Sequence, residues 1–276
     1  MNIAETTELR PLDERPVPDL ACLPRPVYAR VEDIREPRVT QAHSHPWVQL
    51  SYATRGVLKI RGRGGLFVAP PQRAILIPPN LEHIVVNSPD TQMRSLYIAT
   101  QALPSTGDTC EVLAVSDLLR ETIRHFSRLP VHYDEAGPEG RLVAVMLDLV
   151  NQAPREALSL PWPQAPGLHA LCRAMLDRPD QPLRLDAWGK QLGVSARTLE
   201  RMFLRETGMN MRSWRLRARL LEALPLLERG DSVTEVALAC GYESTSAFIA
   251  SFRRFLGATP GRFSPAGAGR RGRSGS

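Results

Sequence analysis

The stretch SVTEVALACGYESTSAFIASFRRFLGATP, residues 232–260, reads as two short helices around a glycine turn. Val236, Ala237 and Ala239 lie on the first, which ends at Gly241, where a left-handed backbone suits glycine and few other residues. Ser244 is placed to cap the second helix by accepting a hydrogen bond from a free amide of its first turn. Phe248, Phe252 and Phe255 then recur at helical spacing as an inner face. Thr245, Ser246 and Ala250 are left facing outward, small enough to approach a groove closely, and Arg253 and Arg254 stand near the end, where phosphates are in reach.

The same plan occurs upstream in LRLDAWGKQLGVSARTLERMFLRETG, residues 183–208. A short helix ends near Leu192-Gly193, and Ser195 caps the next one. Leu199, Met202 and Phe203 form its apolar stripe and leave Arg197, Glu200 and Arg201 on other faces. An exposed arginine early on such a helix can pair bidentately with guanine, and a glutamate can accept from a cytosine amine. Exposed Arg and Glu also form ordinary solvated faces, whereas Phe203, Phe248 and Phe252 are core residues on this reading.

The two segments are joined by RLRARLLEALPLLERG, residues 215–230. With LGVSARTLERMF and RETG before it, and the 232–263 stretch after it, the chain from about Leu168 to Phe263 resembles the DNA-binding domain of the AraC/XylS family of bacterial regulators. The resemblance implies two small helical subdomains on one connecting helix, with recognition helices in successive major-groove segments. It assigns base-facing positions to Arg197, Glu200 and Arg201 on the first helix and to Thr245, Ser246 and Ala250 on the second. Gly189 stands where alanine is common and is expected to weaken its helix. Pro225 is expected to bend or stop the connecting helix.

Charge is distributed in agreement with this. The net +6 of the 276 residues is uneven: from Gln164 onward there are 18 Lys+Arg against 10 Asp+Glu, and before it 17 against 19. One half is basic, as expected of the half that meets nucleic acid. The tail GRRGRSGS supplies only three of the excess charges, so the domain itself is basic. Cys22, Cys110, Cys172 and Cys240 are scattered without a CxxC pair, which argues for a reducing cytoplasm and against a disulfide framework or a zinc finger. No apolar run approaches the roughly 20 residues of a membrane span, and the N-terminus lacks the pattern of a secretion signal.

The N-terminal half has a different texture. From about Val27 to Tyr97, runs such as WVQLSYATRGVLKIRG (47–62), GLFVAP, AILIPP, HIVVN and MRSLYIAT are β-rich and punctuated by Pro, Gly and Asn. CEVLAVSDLLRETIRHFSRL (110–129) and GRLVAVMLDLVNQA (140–153) place apolar residues at helical spacing. The expected fold is α+β, divided into a flexible tail (1–25), a sensor barrel (26–105), connecting or dimerisation helices (106–157), a linker (158–167), the double helix-turn-helix domain (168–265) and a second tail (266–276).

His43-Ser-His45-Pro-Trp-Val-Gln49, followed by Gly56, and later Pro78-Pro-Asn80-Leu-Glu-His83-Ile-Val-Val-Asn87 resemble the paired motifs of the cupin β-barrel. In metal-binding cupins two histidines, a glutamate and a later histidine converge on one divalent ion, and the matching residues here are His43, His45, Gln49 and His83. His43 and His45, two apart on a strand, can both point inward. Gln49 departs from the pattern, since a neutral amide is a weaker ligand than a carboxylate. The site is therefore expected to be either a polar ligand pocket or a divalent transition-metal site.

These readings converge on a cytoplasmic, promoter-binding transcription regulator whose barrel senses a small molecule or a metal. A homodimer is expected, as is contact with RNA polymerase if the protein activates. An apolar seam of Leu113, Leu118, Leu119 and Ile123 fits either a dimer interface or packing against the barrel. Two rivals stand beside it: a cupin-type metal enzyme fused to a DNA-binding module, and a barrel that serves only as a dimerisation platform.

Overall fold

The computed structural model describes residues 13–17, 20–104, 106–179 and 181–264. The chain divides into two compact units, one running to Ser159 and one beginning at Leu160.

The first unit is built from β1 (Asp13–Arg15), β2 (Val27–Ile34), β3 (Arg38–Thr40), β4 (Val48–Arg55), β5 (Leu58–Gly62), β6 (Gly65–Ala69), β7 (Arg73–Ile77), β8 (His83–Asn87), β9 (Thr91–Ile98), β10 (Glu111–Ala114) and β11 (Arg155–Glu156), with helices α1 (Asp117–Phe126) and α2 (Pro138–Gln152). One sheet has the order β1-β3-β8-β5-β6 and ends at β12 (Ser159–Pro161), where the chain leaves the unit; the other runs β11-β10-β7-β4-β9-β2. β1 pairs in parallel with β3. Two such sheets form the jelly-roll arrangement expected of a cupin-like domain, and among the described residues no strand pairing closes them into one barrel.

Gly56 carries the chain from β4 in the second sheet to β5 in the first. Its φ is +85°, and a Cβ there would collide with Thr91 Oγ1, so the turn requires glycine. Alternation along β4 then divides the unit's interior in two. Val48, Leu50 and Tyr52 join Leu96 and Ile98 of β9 in an apolar cluster that takes in Leu119, Ile123 and Phe126 of α1 and Val143, Met146 and Val150 of α2. Gln49 and Ser51, buried on the opposite face, stand across from Tyr97 and Ser95.

Two sequence expectations need correction here, and one alternative left open is narrowed. The run Cys110–Val115 belongs to no helix: Glu111–Ala114 pairs with β7, and α1 starts only after the Ser116 cap, whose side chain accepts from Leu119 N. A short apolar run does not distinguish a buried strand from a helix by period. Leu113, Leu119 and Ile123 of the supposed seam are buried within the unit, and Leu118 alone faces outward. Within the stretch read as a flexible tail, Asp13–Arg15 forms β1, and the buried Arg15 guanidinium lies 3.4 Å from Glu32 and 3.1 Å from Met93 Sδ. Residues 1–12 and the tail beyond 264 lie outside the described residues.

The second unit is helical: α3 (Pro166–Asp177), α4 (Leu185–Gln191), α5 (Ala196–Thr207), α6 (Met211–Arg229), α7 (Val233–Ala239), α8 (Thr245–Leu256) and a 3₁₀ turn (Pro260–Phe263). The starts of α5, α6, α7 and α8 each have a side-chain cap. Ser195 accepts from Thr198 N, Asn210 from Ser213 N and Ser244 from Ala247 N, while Ser232 and Glu235 form a reciprocal capping box. Leu199, Phe203, Trp214, Phe248 and Phe252 are fully buried, and Trp214 Nε1 donates to Pro161 O at 2.6 Å.

Two further expectations are revised in this unit. α6 runs unbroken through Pro225 for 19 residues; Leu221, Leu224 and Leu227 around it are buried, so core packing outweighs the lost backbone bond. Gly189 does more than weaken its helix. A Cβ at that position would sit 2.6 Å from Val194 O, so the glycine lets the turn fold back tightly on α4.

Candidate DNA interface and histidine site

Both helix-turn-helix units present one face of their second helix to solvent. On α5, Leu199 and Phe203 enter the core, while Ser195, Arg197, Glu200 and Arg201 are exposed. On α8, Phe248 and Phe252 are buried, Phe255 is half-buried, and Ser246, Ala250, Arg253 and Arg254 are exposed. Thr245 is half-buried, its hydroxyl 3.4 Å from that of Thr234. A groove of about 1360 Å³ opens beside α5, with Arg197, Arg201, Arg212, Arg215, Arg219 and Arg254 on its walls. Sequence reading found three of these. It missed Arg212, Arg215 and Arg219 because they lie on the connecting helix, whose period shows an apolar face but not what stands opposite. Arg215 and Arg219 both donate to Pro179 O, tying the chain before α4 to α6.

In the first unit, His43 and His83 face each other across a backbone bridge, with N–H···O distances of 3.1 and 2.9 Å. Their rings are 4.2 Å apart, and the His45 ring is 5.1 Å from His83. One ligand nitrogen from each of the three lies within 4.8 Å of the others. Each Nδ1 lies 2.8–2.9 Å from a backbone carbonyl two residues away: Gln41 for His43, Trp47 for His45 and Leu81 for His83. A carbonyl can only accept, so on His43 and His83 these bonds place the proton on Nδ1 and leave Nε2 as a lone pair, whereas His45 meets an acceptor oxygen at both ring nitrogens. His83 Nε2 is buried and has no partner among the described residues.

Burial holds all three imidazoles in the neutral form. It lowers the His83 pKa to about 3, with the neighbouring His43 adding to the effect, and it pushes His45 and His43 below their usual value. Gln49 is buried beside them, its Oε1 2.8 Å from His45 Nε2 and its Nε2 donating to Ser51 Oγ at 2.8 Å. Trp47 stacks on His45 at 5.2 Å, and its indole N–H has no partner among the described residues. All four residues matched to the cupin pattern thus come together. Tyr97 and Ser95 extend the same face and carried no sequence signal, since β9 reads only as an apolar strand.

A capped pair of helix-turn-helix units joined to a separate domain with a buried polar interior defines a DNA-binding regulator with a ligand-binding domain. The comparisons agree: residues 27–192 match the AraC-like ligand binding domain and residues 188–265 a helix-turn-helix domain. The chain belongs to the AraC family of transcription regulators. It is 32% identical over 237 residues to the HTH-type transcriptional regulator NimR of Escherichia coli, covering 86% of this chain and 85% of that one. An AraC-type DNA-binding structure from Chromobacterium violaceum is 30% identical over 40% of this chain and 96% of its own, with a TM-score of 0.34. A structure of ToxT from Vibrio cholerae is 10% identical over 87% of this chain and 98% of its own, with a TM-score of 0.37. Among the described residues no helix is long and apolar enough to cross a membrane.

Proposed function

We propose that α5 and α8 are the recognition helices and that the three histidines hold a divalent transition metal whose binding controls how promoter DNA is engaged. Arg197, Arg201 and Glu200 would contact base edges from α5. Ser195, Thr245, Ser246 and Ala250 would allow close approach, and Arg253 and Arg254 would reach phosphates. The observation that carries the DNA reading is the division of each helix into a buried, mainly apolar face and an exposed polar face.

The matched cupin pattern allows a metal, and the residues present fit one. Three neutral imidazoles are oriented by carbonyls through Nδ1, as outer-shell partners orient metal-binding histidines, and the orphaned His83 Nε2 is one of the lone pairs offered. Such a set suits zinc, nickel, copper or cobalt. Bound metal would supply a cationic cross-link between the His43–His45 segment and His83. NimR, similar over most of both chains, is named as a transcriptional regulator, which favours a sensing role over the enzyme reading. We further infer a cytoplasmic homodimer, two copies aligning two DNA-binding units with paired half-sites, and contact with RNA polymerase at activated promoters.

Elemental analysis of untagged protein, followed by zinc titration, tests the metal reading. One ion per chain, lost in His83→Ala, is expected; a chain that takes up none refutes it. Footprinting of the protein's own upstream region with an Arg197→Ala/Arg201→Ala variant tests the helices, and an unchanged sequence-specific footprint would overturn that assignment. Light scattering at micromolar concentration checks the dimer.

A further inference from the structure

His45 is held between two oxygens, Trp47 O at Nδ1 and Gln49 Oε1 at Nε2, each 2.8 Å away. A neutral imidazole carries one proton and can donate to only one of them. With that proton on Nδ1, the Nε2 lone pair faces the lone pairs of Gln49 Oε1. Two acceptors in contact in a buried site are unfavourable.

Two arrangements remove the conflict while the ring stays neutral, the form that burial favours. In the first, the Gln49 amide turns over, so that its N–H donates to His45 Nε2 and its Oε1 accepts from the Ser51 hydroxyl. In the second, a cation takes up the His45 Nε2 lone pair, and the amide keeps its oxygen on that side and its N–H on Ser51 Oγ. Ser51 serves both because a hydroxyl donates and accepts equally well. It is fully buried and lies opposite Ser95, whose hydroxyl has no partner among the described residues.

We propose that Gln49 is a two-position switch at this site: its amide N–H caps His45 Nε2 when metal is absent, and its oxygen faces the site when metal is bound. Gln49 is then a positioning residue that competes with the ion for His45, and it keeps the site reversible instead of permanently loaded. This inference rests on the metal reading above and adds the means by which the site is tuned to respond.

The test is titration of the full-length protein with zinc and with cobalt(II), followed by calorimetry and by the visible absorption of cobalt, for the wild type, Gln49→Ala and Gln49→Glu. Removing one competing hydrogen bond is expected to tighten binding about two- to tenfold in Gln49→Ala. Gln49→Glu is expected to tighten it more, by about tenfold or above, and to change the cobalt spectrum as a carboxylate enters. A Gln49→Ala protein that keeps the wild-type spectrum supports a residue outside the coordination shell. A loss of tenfold or more in Gln49→Ala, with a changed spectrum, would make Gln49 a ligand and overturn the switch while leaving the metal reading intact. A wild type that binds neither ion overturns both.

Discussion

Arg197 stands in the first turn of α5, exposed, and is absent from the ion pairs of the described residues, as is Arg201 one turn further on. Replacing Arg197 with alanine therefore removes little that holds the fold together, and stability should change by no more than about 0.5 kcal/mol. If the guanidinium makes a bidentate contact to a guanine, its loss costs about 1–3 kcal/mol of discrimination, or about 5- to 150-fold in Kd at 25 °C. A phosphate contact behaves differently. It weakens specific and non-specific duplexes alike and lowers the slope of log K against log salt by about 0.9. Fluorescence anisotropy with a footprinted promoter duplex and a scrambled duplex, from about 50 to 200 mM salt, separates the two. Specific affinity should fall while scrambled binding and the salt slope stay nearly constant. Equal weakening on both duplexes, or none on either, would refute the base-reading role of Arg197 and the orientation of α5 that it implies.

Other consequences follow from single features of the two units. Gly189→Ala ought to gain about 1 kcal/mol of helix propensity but lose more, because its Cβ would meet Val194 O at 2.6 Å; a lowered Tm of the DNA-binding unit in calorimetry of the full chain is expected, and a raised one would refute the packing argument. Truncating the fully buried Phe203 to alanine should destabilise that unit by about 3–5 kcal/mol, read by chemical denaturation, with DNA binding lost alongside. Acid should weaken the sensor unit in the absence of metal. The folded-state pKa of His83 is depressed to about 3, so the unfolded chain takes up protons first, and stability present above about pH 6.5 declines as pH falls towards 3. The slope is at most about 1.4 kcal/mol per pH unit for each such histidine. Denaturation at pH 7.5 and 5 should show this decline, and a flatter one in His83→Leu.

The DNA-binding half was legible because its signals are local. Ser195 and Ser244 cap the helices they were expected to cap, and the phenylalanines at spacings of three and four face inward, all within one or two turns of chain. The groove wall from Arg212 to Arg219 was not legible, since it depends on how α6 lies against α5. In the sensor half the histidine spacing identified four residues that do come together. The carbonyls beside their Nδ1 atoms were not foreseen, although Gln41, Trp47 and Leu81 are each only two residues from the histidine they orient. Whether a backbone oxygen points back at a nearby ring is set by local dihedrals that residue type does not encode. The strand Glu111–Ala114 was hidden for a related reason: its apolar residues obey the helical period as well as the strand period, and only pairing with β7 decides between them.

β4 assigns different work to its odd and even positions. Gln49 and Ser51 line the polar interior, and Leu50 and Tyr52 belong to the core that anchors α1 and α2. Substitutions at the odd positions can change what the interior recognises while the even positions keep the helices anchored, so ligand preference can diverge along a lineage without passing through unfolded ancestors. Insertion of a single residue into β4 has the opposite character: it exchanges the two linings at once, and no compensating point mutation elsewhere restores either.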